Sequence, residues 1–213
     1  MSALPVSQPS VSAASPESPA TLRALFGVAL ATSAWAWWTF AWPVITGASR
    51  VRHVDHFALT YAHMIGGTIM LVAGSAALFI GWTRRGFRHH KWIGATYLIG
   101  GGLGAALGLG LSLRNSHRIT GITVATGTLA AVWLVAAAMA FRAVRNRRFE
   151  AHREWMVRSY VLTWTFVGCR IAGRVPSLDT LGDAGGAAVV WLSWVLPLVA
   201  CEVALQWRAT SRR

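Results

Sequence analysis

Residues 57–82 read FALTYAHMIGGTIMLVAGSAALFIGW, a run whose only ionisable side chains are Tyr61 and His63. At 1.5 Å of rise per helical residue it is ~39 Å long, against a hydrocarbon core of ~30 Å. Lipid offers the backbone no hydrogen-bond partners, so a chain crossing it has to be α-helical or part of a closed barrel. A continuous apolar run of this length is the helical case. Four more follow the same pattern: Leu25–Thr46, Trp92–Leu113, Ile119–Phe141 and Ala187–Trp207. A sixth, Trp155–Ala172, is shorter and carries Arg158 and Arg170 inside it. The expectation is therefore an all-α fold, a six-helix transmembrane bundle occupying residues 23–208 as one domain. Residues 1–22, rich in Ser, Pro and Ala, read as a disordered tail, and residues 209–213 as a short basic one.

Charge gives the orientation. A net charge of +13 would suggest nucleic acid in a soluble protein. Here the basic residues sort by side. Thirteen fall with Arg23, the loop Arg84–Lys91, the loop Arg142–Arg153 and the C-terminal tail, and five with Arg50, Arg52, Arg114, Arg118 and Arg174. The positive-inside rule then places both termini in the cytoplasm. The charge is read as topology, with the lipid bilayer as partner and no nucleic acid. Nineteen arginines against one lysine point to a GC-rich bacterial genome, hence a multi-pass protein of a bacterial plasma (inner) membrane. A cleaved signal peptide is not expected, because the first apolar run is too long and lacks a basic n-region. Cys169 and Cys201 fall at depths of about 21 Å and 9 Å by helical rise, too far apart for a disulfide.

Within the spans, Gly100, Gly104 and Gly108 recur every fourth residue on the third helix, a spacing that lets helix backbones approach closely in lipid. A short echo links the third and fifth helices. His89–Tyr97 and His152–Tyr160 both fit His-x-x-Trp-x-x-x-(Thr/Ser)-Tyr.

The histidines alternate between levels. His63 opens helix two and His117 helix four on the outer side, while His90 and His152 open helices three and five on the inner side. Facing imidazoles from neighbouring helices are what a six-coordinate b-type haem requires. The expectation is a haem b-binding transmembrane electron carrier with His90 and His152 at an inner site and His63 and His117 at an outer one. His56 is a substitute for His63, and Arg170 and Arg174 are placed for haem propionates. A bare copper or zinc site near Asp55 or Met64 is a narrower variant. Quinone or another redox protein would be the partner. The alternative is a haem-free small transporter or membrane assembly protein in which these histidines line a polar path or anchor helix ends. Arg158 and Glu202 lie at similar depth and are expected to form a structural ion pair, since a lone intramembrane charge costs ~2.5 kcal/mol or more. Nucleotide-binding glycine loops, nucleophile elbows and HExxH helices do not occur.

The segments RHHKWIGATY (Arg88–Tyr97) and HREWMVRSYVLTWTFVGCR (His152–Arg170) resemble an uncharacterised bacterial multi-pass membrane family, domain of unknown function 2306. Its first element falls on His90, Lys91, Gly94 and Tyr97. The second falls on His152, Trp155, Met156, Arg158, Ser159, Tyr160 and Arg170. The resemblance covers about Phe57 to Arg174 and implies a multi-pass membrane fold; it implies no activity. More loosely, histidines on four successive helices are similar to the di-haem transmembrane ferrireductases that use ascorbate, although the spacings differ and no ascorbate-binding motif is evident.

Overall fold

The computed structural model describes residues 19–47, 57–114, 121–175 and 182–210, and these are helices joined by short turns. The first rod is α1 (Pro19–Ala36), a π-helical turn at Trp37–Ala41 and α2 (Trp42–Ile45), with Pro43 in the first turn of α2. Next come α3 (Phe57–Thr83), α4 (His90–Arg114) and α5 (Gly121–Arg145). A fifth rod is α6 (Phe149–Thr163) followed, after one tight turn at Trp164, by α7 (Thr165–Ala172). The last is α8 (Gly182–Thr210), with Pro197 inside it. Six helical rods result, and no strand occurs among the described residues. Four of them, Ala58–Thr83, Phe87–Arg114, Gly121–Arg145 and Gly182–Trp207, are long and apolar enough to cross a membrane.

The helices run past the apolar stretches that specify them. α5 continues through Arg142 to Arg145, and α6 begins at Phe149, taking in Glu150, Arg153 and Glu154. Their backbone hydrogen bonds continue through the interfacial zone, where long charged side chains can reach water. The α5–α6 connection is correspondingly abrupt: Arg147 adopts φ 57°, and Arg148 N–H donates to the Ala143 carbonyl at 2.9 Å. That is the left-handed cap with which many helices end.

Beside an apolar core, several hydroxyls are buried and many large apolar side chains are exposed. Ser33, Ser75, Ser112, Ser159, Thr163 and Thr165 are buried, whereas Val72, Trp92, Ile99, Leu196 and Trp207 are exposed. In lipid an exposed apolar side chain costs nothing, and a polar one has to face inward to find a partner. Of the four span-length helices, α8 is the least buried, with only 6% of its apolar window inside the protein.

The glycine row of α4 is the contact with α3. A Cβ on Gly66 would lie 2.9 Å from the Gly104 Cα, and one on Gly100 would lie 2.6 Å from Ile69 Cγ2. The two backbones are therefore in direct contact, which leaves no room between them at this level for a flat cofactor. Across α4, Gly101 makes the notch for Trp133 of α5, whose Cη2 would be 2.3 Å from an added Cβ. Ala136, Ala137, Ala140 and Ala143 give α5 a buried small-residue face.

Candidate functional site

Three polar assemblies lie inside this frame. The central one joins α4, α5 and α6. Tyr97 O–H donates to Ser159 Oγ at 2.9 Å and lies 3.1 Å from Thr163 Oγ1; Trp133 Nε1–H donates to the same Thr163 oxygen at 3.0 Å. Ser159 in turn donates to the Met156 carbonyl, and Thr163 Oγ1 lies 2.9 Å from the Ser159 carbonyl. Each donor has an acceptor, so the knot needs no water. Beside it Tyr160 bonds Ser75 of α3 at 2.6 Å. Gly74 makes room for both tyrosines, since its Cβ would lie 2.7 Å from the Tyr97 ring and 2.9 Å from that of Tyr160.

The echo motif thus brings its two tyrosines together on one glycine. The preceding residues diverge: Ser159 is fully buried, while Thr96 bonds its own helix at Trp92 on an exposed face. The sequence by itself gives no role to Trp133, Ser75 or Gly74. The pairing of Tyr97 with Tyr160 was the available signal.

The second assembly is at the end where α4 and α6 begin. The His90 ring stacks on Phe87, with centroids 5.2 Å apart, and packs against Gly81 of α3. Its Nδ1 is buried without a hydrogen bond of ordinary geometry, although the Ala77 carbonyl lies near the ring. His152 Nδ1 lies 2.9 Å from the Ala140 carbonyl of α5. A carbonyl can only accept, so that nitrogen carries the proton and Nε2 keeps a free lone pair. The two histidines lie within electrostatic range of each other. Close by, Arg158 grips Glu202 of α8 through two nitrogens, Nη2 to Oε2 at 3.0 Å and Nε to Oε1, and touches Glu154 at 3.4 Å. Its guanidinium also lies 4.9 Å from the centre of the Trp155 ring.

The third assembly is at the opposite end, about 27 Å of helix rise along α3 from Gly81. There His63 Nδ1 donates to the Gly104 carbonyl at 2.7 Å, with its ring in the gap left by Gly108. His117 lies outside the described residues, as do His53, Asp55 and His56. Arg170 and Arg174 sit at this end too. The Arg170 guanidinium lies 5.1 Å from the Phe40 ring centre and 5.4 Å from that of Phe166. Arg174 lies 5.5 Å from Trp35 and 5.1 Å from Phe40. Both make cation–π contacts, and among the described residues neither has a carboxylate within ion-pair distance. Cys169 and Cys201 are free.

An exterior rich in large apolar side chains, hydroxyls buried within the core and four span-length helices define a multi-pass integral membrane protein. The chain belongs to the family described as predicted membrane protein (DUF2306), whose model matches residues 60–205. The match takes in His63, both echo motifs, the polar knot and Glu202. No curated protein and no solved structure matches the chain.

Proposed function

We propose that this membrane protein carries electrons through a b-type haem held at the inner end of the bundle by His90 and His152. The observation that carries the reading is the donor set: an imidazole whose Nδ1–H meets the Ala140 carbonyl, leaving Nε2 as the lone-pair nitrogen of the neutral ring, near a second whose buried Nδ1 lacks a hydrogen bond of ordinary geometry. A ring N–H committed to a backbone carbonyl is how proteins orient a histidine that ligates a metal. Two imidazoles are also the right number. They complete the axial set of a haem, whereas a structural zinc site takes four ligands. Among the described residues no cluster of three or more His, Cys, Asp or Glu side chains is placed to hold a bare ion.

Such a haem would supply one-electron chemistry near one membrane surface. The chain's own residues hold and insulate the site. Ala140 fixes the His152 tautomer, Phe87 and Gly81 fix the plane of His90, and the Arg158–Glu202 pair ties α6 to α8 beside it. A second haem between His63 and His117, with Arg170 and Arg174 near its propionates, would complete a path to the other surface. By the positive-inside rule the inner end and both termini face the cytoplasm of a bacterial plasma membrane. Quinone or another redox protein would exchange the electron.

A haem-free role, as a small transporter or assembly protein, is favoured by a different observation. His63 and His152 each strap one helix to a carbonyl of its neighbour, and such straps need no cofactor. A reduced-minus-oxidised visible spectrum of the solubilised protein decides between the two. The haem reading expects a sharp α band whose inner-haem share His90→Ala and His152→Ala remove. A colourless protein from haem-replete cells leaves the haem-free role.

A further inference from the structure

We infer that the lipid-facing groove between α1 and α3 is a binding site for the ring of a membrane quinone. The groove has a volume of about 900 Å³ and is walled by Trp35, Trp37, Trp38 and Phe79, with Ser33 and Ser75 among its few polar groups. This is the size range of ordinary small-molecule sites, which combine apolar walls with a few fixed polar atoms. It opens sideways to the bilayer, where Trp38 and Val72 are each 64% exposed. An occupant therefore enters from the membrane and not from water.

The hydroxyls select the occupant. Ser75 donates to the Leu71 carbonyl, which leaves Tyr160 to donate to Ser75. Ser33 is 5% exposed, and its Oγ, beside the Tyr160 hydroxyl, makes no hydrogen bond of ordinary geometry. Its O–H has only the nearby Tyr160 oxygen to meet, outside ordinary hydrogen-bond geometry, and so stays under-satisfied in apolar surroundings, where folded proteins almost always pair such a group. An acyl chain has no acceptor for it. A quinone carbonyl is an acceptor with no donor of its own, and its flat conjugated ring suits indole walls. The isoprenoid tail would leave through the open side into lipid.

The position suits the redox reading, which this inference deepens by naming a substrate, although binding itself requires no haem. Ser75 lies about 9 Å of helix rise from Gly81, against which His90 packs.

The test is quenching of tryptophan fluorescence by decyl-ubiquinone in detergent micelles, with decylbenzene as competitor. Saturable quenching is expected in the wild type. Ser33→Ala should weaken it about tenfold, the usual effect of one hydrogen bond. Ala76→Phe, which fills the groove, should abolish it. If that variant fails to elute as a single species, Val72→Trp fills the groove from the same helix. Decylbenzene, with ring and chain but no carbonyl, should compete at least tenfold more weakly than unlabelled quinone. No saturable quenching, equal competition by decylbenzene, or wild-type affinity in both Ser33→Ala and the filled variant would each overturn the proposal. His90→Ala separates the two readings: quinone binding that survives where haem is absent leaves this site standing whatever becomes of the other.

Discussion

The two ends of the bundle place the same side chain in opposite situations. At one end His63 lies in a gap made by Gly108 and gives its N–H to the Gly104 carbonyl, so its ring reinforces the α3–α4 seam. At the other, His90 is stacked on Phe87 and its buried Nδ1 lacks a hydrogen bond of ordinary geometry, while the nearby His152, like His63, gives its N–H to a carbonyl. The difference lies in what surrounds each ring. A glycine row lets α3 and α4 close until the backbones touch, which brings the Gly104 carbonyl within reach of His63 Nδ1. Where α3 meets α4 through the His90 ring on Gly81 instead, imidazoles from α4 and α6 lie within electrostatic range of each other.

That contrast can be broken most severely at the seam. Gly104→Leu would drive a branched side chain into the Gly66 backbone, beyond what side-chain repacking can absorb. A loss of about 3 kcal/mol or more is expected, seen as a large fall in Tm or failure to elute as one species. The central knot comes next. Tyr97→Phe removes the proton that Ser159 accepts inside a water-free core and should cost about 1–3 kcal/mol. Unfolding midpoints unchanged by that substitution would mean that the knot relaxes without loss.

The ion pair gives a smaller effect with a diagnostic pattern. Glu202 is 39% exposed and Arg158 12%, so solvent screens part of the attraction. Glu202→Gln should cost about 1–2 kcal/mol by leaving Arg158 with only the longer contact to Glu154. Adding Arg158→Leu to Glu202→Leu should recover most of the loss of Glu202→Leu alone, and a double-mutant cycle measures the coupling. Smallest is His63→Ala. It should cost about 1 kcal/mol for one hydrogen bond and leave the inner end untouched.

The chain declares its helices and hides their contacts. Apolar runs such as Phe57–Trp82 locate the spans because lipid permits few alternatives, and the spacing of Gly100, Gly104 and Gly108 marks a close-packing face. Neither says which neighbour fills each gap. Gly101 serves Trp133 and Gly74 serves two tyrosines, and those matches depend on helix rotation, which one sequence does not encode visibly. The alternation of His63, His90 and His152 was legible, yet periodicity treats all three alike; only the local carbonyls and glycines separate them. The groove at Ser33 gave no warning, because a single serine in an apolar run looks like tolerated polarity until its partners are known.

The most direct test of the inner site is low-temperature EPR of the oxidised, purified protein, compared with His90→Ala and His63→Ala. Bis-imidazole ligation at the inner site predicts a low-spin ferric haem signal in the wild type whose inner-haem component persists in His63→Ala and is lost or turns high-spin in His90→Ala. An absent haem signal, or a low-spin signal unchanged by His90→Ala, would contradict it.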